Sequence, residues 1–456
     1  MKNSTILSFL SGILLVLISF VSCQSGKRSE GAEEKQSYSV RFDFGPGESA
    51  KGYEKVTADM EYNTECGFGF VSDTIMEEVN RKKGNALSSD FCTSPKPFYF
   101  FVDLPEGNYR VKIHFGDPEG TSINTVKAES RRLMLHDVKT QKGESLTKTF
   151  TVNVRRPRIN EKDSIRRKSR EYVFLNWDDK LTLEFNNEKP CIQAVEREEI
   201  EDVTTVFLAG NSTVVDQEYV PWAAWGQMLP VFFNDQVAVA NYAESGETML
   251  GFIGRNRLKK VTSQIRPGDY LFIQFGHNDQ KEHSSAYLEA HTGYKKYLGM
   301  FVDTARKYGA TPVLVTSMHR RRFDKNGEIV NTHGDYPQAV REVAEEKEVA
   351  LVDLHAMSEQ FYEALGVEGS RKAFVQYPAN TFPGQEKELE DNSHHSTYGA
   401  YQLARCVIKE IRKNELGLVK YLRPWVDTYD PANPMPFKSF DVPFSPSIRM
   451  LRPEGS

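Results

Sequence analysis

Near residue 200 the chain changes its hydrophobic rhythm, and that change restricts it to two unlike folds joined in series. Before it, "YSVRFDFG", "PFYFFVDL", "YRVKIHFG", "LTKTFTVNV", "YVFLNW" and "LTLEFNN" are short and mostly alternate apolar with polar residues. Turn signals such as "LPEGN" and "NWDDK" separate them. Short antiparallel strands without a long amphipathic helix predict a β-sandwich over residues 38–200. After the change, "TTVFLAG", "QVAVANYA", "YLFIQFG", "PVLVTSM" and "VALVDL" are compact and rich in β-branched residues. Helical stretches such as "YKKYLGMFVDTARKYG" and "PQAVREVAEEKE" lie between them. Strand–helix alternation at this spacing predicts a parallel sheet covered by helices on both faces over residues 201–415. A chain of 456 residues is long enough for both domains.

The segments outside these two patterns are read separately. "MKNSTILSFLSGILLVLISFVSC" has an early lysine, an apolar run and small residues, which is an export signal over residues 1–22. Its end, "FVSC", resembles a bacterial lipoprotein signal, which implies lipidation of Cys23 and a polar tether over residues 23–37. The expected location is then the periplasm or the outer membrane of a Gram-negative bacterium, the only membrane contact being the N-terminal lipid. A plain secretory signal that removes Cys23 is the other reading. The charged stretch "RRPRINEKDSIRRKSRE" (155–171) reads as a solvent-exposed loop. Residues 416–456 form a proline-rich extension whose apolar residues need cover, with the first domain as one candidate. A net charge of -5 with no long basic block excludes nucleic acid as a natural partner. Cys66, Cys92, Cys191 and Cys406 match no metal-binding spacing, and Cys66 and Cys92 are open to pairing. Oligomeric state is not legible.

A parallel α/β sheet gathers its reactive loops beyond the carboxyl ends of its strands. After "TTVFLAG" comes "NSTVVDQ", where Ser212 either presents a hydroxyl at the sheet edge or caps a helix. After "QVAVANYA" comes "ESGET", in which the Gly246 N–H can approach a ligand closely unless the glycine only makes a turn. After "YLFIQFG" comes "HNDQ", and Asn278 offers an amide donor there, or an Asx turn. Near the end, "DNSHHSTYGA" places Asp391 three residues before His394 at the entrance to a helix. That offset can set a carboxylate against Nδ1 and leave Nε2 free as a base for Ser212. His395 competes with His394, and only geometry separates them. After "PVLVTSM", the side chains of His319, Arg320, Arg321 and Arg322 could meet uronate carboxylates, or form a solvated turn or internal salt bridges. His277, His283 and His319 form no HExxH or other clean ligand spacing, so neither a metal nor another cofactor is expected.

"LAGNSTVVDQ", "NYAESGET", "FIQFGHNDQ" and "DNSHHSTYGA" together resemble the four blocks of the SGNH (GDSL-like) hydrolases. The nearest branch is that of the rhamnogalacturonan acetylesterases, which "RRRFDKNGEIVNTHGDYPQAVREVA" also resembles. The resemblance implies a three-layer α/β/α flavodoxin-like domain. It implies Ser212 as nucleophile, His394 as base and Asp391 as its orienter, with the Ser212 N–H, the Gly246 N–H and Asn278 as the oxyanion hole. The substrate it implies is an acetylated plant cell-wall polysaccharide. One departure is Asn211, where the family usually carries Asp. "VRFDFG", "GYEKV" and "GFGF" resemble a galactose-binding-like domain, which either binds sugar or shapes one rim of the active site. The alternatives to a pectic acetylesterase are an esterase acting on acetylated xylan or other sugar esters, and a non-catalytic carbohydrate-binding lipoprotein.

Overall fold

The computed structural model of the protein describes residues 39–446. The export signal, Cys23 and the tether lie outside the described residues. In the first half, two sheets enclose one core. The larger runs Leu146–Val154, Gly107–Phe115, Ile192–Glu199, Ser39–Phe44 and Glu54–Val56, with Asp90–Thr93 and Glu77–Asn80 joined at its side. The smaller runs Phe68–Val71, Phe98–Asp103, Lys180–Asn186, Ser122–Ala128 and Arg132–Thr140, all antiparallel. Period two is plain in Gly107–Phe115, where Tyr109, Val111, Ile113 and Phe115 are buried and the residues between them are not. Edge-on packing of Phe42, Phe44 and Phe70 on Phe100 fills the middle.

The second half contains a five-stranded parallel sheet: β1 (Thr204–Gly210), β2 (Val237–Asn241), β3 (Tyr270–Gln274), β4 (Thr311–Val315) and β5 (Ala350–Val352), in the order β2-β1-β3-β4-β5. Successive residues of β1 face opposite sides. Val206 and Leu208 enter one core, with the helix Thr397–Lys413, whereas Phe207 and Ala209 enter the other, with the helices Lys295–Lys307 and Tyr336–Glu346. Burial on both faces explains why these strands are continuously apolar.

The charged stretch 155–171 is not a free loop. Burial of Ile165 and Trp177 in the core beside β1, and of Glu171 against Arg257, pins it to the second domain. Further ties run from Lys259 to Asp163 at 2.6 Å and from the Arg166 N–H to the Arg255 carbonyl at 2.9 Å. For the same reason "YVFLNW" is not a strand. The chain makes a short 3-10 turn over Ser169–Val173 and then delivers Trp177 against Tyr242, with ring centroids 5.5 Å apart.

A second tie is ionic. Arg132 Nε and Arg155 Nη2 from the first domain donate to one oxygen of Asp216 at 2.7 and 3.1 Å, and Asn241 Nδ2 donates to the other at 2.8 Å. All three charged side chains are buried. Removing one member of such a cluster leaves buried charge uncompensated, so D216A is expected to cost about 3–5 kcal/mol of stability. Urea unfolding checks this, and a midpoint equal to the parent's would contradict it.

The C-terminal extension returns over the first domain. Lys127 Nζ donates to the Pro443 carbonyl at 2.7 Å, and Asn186 Nδ2 donates to the Phe444 carbonyl at 2.8 Å. Cys66 and Cys92 do not pair, and the four described cysteines are all free thiols.

Candidate active site

The loops that follow β1, β2 and β3 leave the sheet side by side. The Tyr242 N–H donates to the Leu208 carbonyl and the Glu244 N–H to the Gly210 carbonyl, so the loop after β2 follows β1 to its end. Immediately after β1, Asn211 turns the chain. Its carbonyl accepts the N–H groups of Val214 and Val215 at 3.0 Å, and its Oδ1 accepts the Thr213 N–H at 3.1 Å and hydroxyl at 2.9 Å. These bonds need only an acceptor oxygen, which Asn supplies as well as Asp would. Gln274 at the end of β3 then locks Thr213 through a 2.7 Å bond to its hydroxyl.

This turn sets Ser212 opposite His394. Ser212 Oγ lies 2.8 Å from His394 Nε2, and His394 Nδ1 lies 2.7 Å from Asp391 Oδ2. Asp391 and His394 sit on a short strand, Leu389–His395, paired with Phe374–Tyr377, rather than in a turn running into a helix. The helix Thr397–Lys413 is capped by Ser396, whose side chain accepts the Gly399 N–H, so Asp391 is not spent as a cap. Instead Asp391 Oδ1 accepts the Ser393 and His394 N–H groups at 2.8 and 2.9 Å. Burial alone would raise the Asp391 carboxyl. The hydrogen bond and charge of His394, with these two N–H groups, outweigh that and hold it well below the usual carboxylate range. His395 is excluded as the base. It is buried, its Nε2 lies 2.7 Å from the Tyr362 hydroxyl, and burial followed by the His394 charge pushes its pKa down to about 3.

Gly246 adopts φ +71°, a conformation that favours glycine. No acceptor among the described residues takes the Ser212 or Gly246 N–H. Asn278 Nδ2 donates to the Glu247 carbonyl at 3.0 Å, which ties the β3 loop to the β2 loop and leaves one amide hydrogen unused. Asp279 organises the same corner. Its two oxygens accept the Met249 and Gly276 N–H groups at 2.8 Å each, and burial raises its carboxyl to about 6.

The basic turn divides. His319 does not reach solvent; it is 1% exposed and its ring packs tilted against His355 with centroids 3.7 Å apart, which removes it from the candidate substrate contacts. Arg320 donates to the Thr332 and His277 carbonyls at 3.1 and 3.4 Å. Arg321 donates to the Val367 carbonyl at 2.6 Å and to Asn392 Oδ1 at 3.3 Å, beside the triad strand. Arg322 is exposed. Among the described residues none of these three arginines has a carboxylate within salt-bridge distance. Also among the described residues, no cluster of three or more His, Cys, Asp or Glu side chains is arranged to hold a metal ion.

Three contributors were not legible in the sequence. Trp222 Nε1 donates to Asp391 Oδ2 at 3.2 Å, and Lys168 and Arg170 of the first domain reach the Ser245 carbonyl. Tryptophan before a short helix and two cations in a polar stretch carry no local mark of either contact.

The sequence profile of the GDSL-like Lipase/Acylhydrolase family matches residues 208–371, and that of the Beta-agarase/YXIM esterase-like, galactose-binding domain-like family matches residues 40–161. Rhamnogalacturonan acetylesterase RhgT of Bacillus subtilis (strain 168) is 43% identical over 215 residues, covering 47% of this chain and 90% of the relative. Probable rhamnogalacturonan acetylesterase YesY of the same organism is 34% identical, covering 47% of this chain and 94% of the relative. Uncharacterized esterase YxiM, also of B. subtilis, is 26% identical over 407 residues, covering 87% of this chain and 96% of the relative, so the similarity runs through both halves.

Proposed function

The chain belongs to the SGNH (GDSL-like) hydrolases, carries a galactose-binding-like domain ahead of the hydrolase and is a carboxylic ester hydrolase; from that premise we propose that it removes acetyl groups from a pectic polysaccharide, rhamnogalacturonan first. One observation carries the chemistry: Ser212, His394 and Asp391 form an unbroken hydrogen-bonded chain at the edge of the parallel sheet, with spacings of 2.8 and 2.7 Å. The strand order supports a flavodoxin-like reading of the second domain, and the two packed, mostly antiparallel sheets support a β-sandwich reading of the first.

In this reading His394 Nε2 takes the Ser212 proton as Oγ attacks the acetyl carbonyl. Asp391 keeps the other proton on Nδ1 and offsets the charge of the imidazolium. The Ser212 and Gly246 N–H groups and the unused Asn278 amide hydrogen meet the tetrahedral oxyanion. His394 then protonates the departing sugar hydroxyl, and water, activated by the same imidazole, hydrolyses the acetyl-enzyme. For the pectic substrate, support comes from the two relatives whose names include rhamnogalacturonan acetylesterase and from Arg320, Arg321 and Arg322, which lack carboxylate partners among the described residues and suit a uronate-bearing chain. Attachment through a lipid on Cys23 completes the proposal, and mass spectrometry of the mature N-terminus tests it.

Acetate release from acetylated rhamnogalacturonan, homogalacturonan, xylan and simple sugar acetates tests the substrate. Acetylated rhamnogalacturonan is expected to be turned over fastest. Equal or faster release from acetylated xylan would overturn the pectic assignment while leaving the esterase chemistry standing.

A further inference from the structure

Two cations of the first domain end on one carbonyl of the second. Lys168 Nζ donates to the Ser245 oxygen at 2.6 Å, and Arg170 Nη2 donates to the same oxygen at 2.5 Å. Glu244 steers Arg170, accepting its Nε at 2.9 Å. The Ser245 carbonyl and the Gly246 N–H are the two ends of a single peptide group. That group is planar and conjugated, so its oxygen and its hydrogen cannot be oriented independently. Glycine at φ +71° restricts the plane less than any other residue would, and a Cβ placed on Gly246 would meet Lys168 Nζ at 3.7 Å.

We propose that Lys168 and Arg170 are positioning residues for the oxyanion hole: from the first domain they fix the Ser245–Gly246 peptide plane and polarise its N–H toward the developing oxyanion. The inference rests on the assignment of Gly246 as an oxyanion donor above. A cation bonded to a peptide oxygen draws electron density from the nitrogen, and hydrogen bonds in series strengthen one another by roughly 10–30% each. The action is local rather than a long-range field, because Glu244 and Glu247 largely cancel the positive charge. Lys168 Nζ lies 3.9 Å from Glu247 Oε2, and Arg170 is paired with Glu244. The segment so held also anchors the other side of the hole, since the Glu247 carbonyl accepts from Asn278 Nδ2. The first domain thereby completes the catalytic site rather than only supporting it.

The test uses the full chain and 4-nitrophenyl acetate, a small neutral ester that needs no contact with a polysaccharide or its charges. K168A/R170A is expected to lower kcat by about 10-fold or more, below the 10²-fold or greater cost of deleting a whole oxyanion donor. KM should stay within about twofold, because the hole acts on the transition state. K168R, which keeps a cation there, should retain most of the activity. The thermal unfolding midpoint should fall, because Glu244 and Glu247 stay buried with only Arg255 and Arg257 as cation partners. The kcat is therefore read well below the variant's own midpoint, where the ties from Asp163 to Lys259 and from Asp216 to Arg132 keep the segment docked. If the double variant does not fold, K168M and R170Q are read singly, each expected to lower kcat by about threefold. Folded K168A/R170A with the parent's kcat, or a loss confined to KM, overturns the inference. An S212A control run alongside separates the two claims. Activity persisting in S212A sinks the esterase site itself, whereas an inactive S212A beside a fully active double variant sinks only the role of Lys168 and Arg170.

Discussion

S212A is expected to lower kcat for acetyl esters by about 10⁴-fold or more, with the fold intact. Among the described residues the hydroxyl has one partner, His394 Nε2 at 2.8 Å, and alanine gives up only that bond. The loop does not depend on it. The Ser212 carbonyl still accepts Gln217 Nε2 at 2.7 Å, and Asn211 still accepts the Thr213 N–H and hydroxyl. What is lost is the covalent step, since no acetyl-enzyme can form without Oγ. The residual rate comes from binding and from an oxyanion hole that S212A leaves in place. Acetate release quantifies the loss. A fluorophosphonate probe should label the parent at Ser212 and leave S212A unlabelled, and label recovered on another residue in the parent would move the nucleophile elsewhere.

The place of Ser212 just past the end of β1 was legible in the sequence because its signal is local: a compact apolar strand, a turn residue and then a hydroxyl. The same holds for the sheet, whose strands announce themselves by continuous apolar residues such as Val206, Phe207 and Leu208, each buried on one face or the other. Choosing between His394 and His395 was not local. It depends on Tyr362 and Phe374, distant in sequence, which take His395 into the core and leave His394 at the edge. Composition misled in two places. Residues 155–171 are polar enough to look solvated, yet their charges are complementary to Arg257 and Lys259, more than eighty residues on. His319 follows a strand as a ligand-binding residue would, but the strand end is roofed by His355 and the imidazole is buried beneath it. In each case the missing information was a partner's position, which periodicity cannot carry.

D391N should be nearly as damaging as loss of the nucleophile, lowering kcat by about 10⁴-fold with little effect on KM, and it should also lower stability because four donors lose their carboxylate. The carboxylate accepts four donors: the Ser393 and His394 N–H groups on Oδ1, and Trp222 Nε1 and His394 Nδ1 on Oδ2. Asparagine offers one acceptor oxygen and one NH2. The two backbone N–H groups cannot move away, so they claim the oxygen and turn the NH2 toward His394. A donor facing Nδ1 stabilises the tautomer whose proton sits on Nε2, and that nitrogen then donates to Ser212 instead of accepting its proton. The base is lost although no atom has moved far. In that orientation the NH2 also meets the Trp222 N–H, and a flip would instead set it against the Ser393 and His394 N–H groups, so neither orientation restores the native arrangement. Steady-state kinetics on 4-nitrophenyl acetate decide it. If D391N keeps more than about a tenth of the parent's kcat, Asp391 does not set the tautomer, and the role given to it here fails while Ser212 and His394 stand.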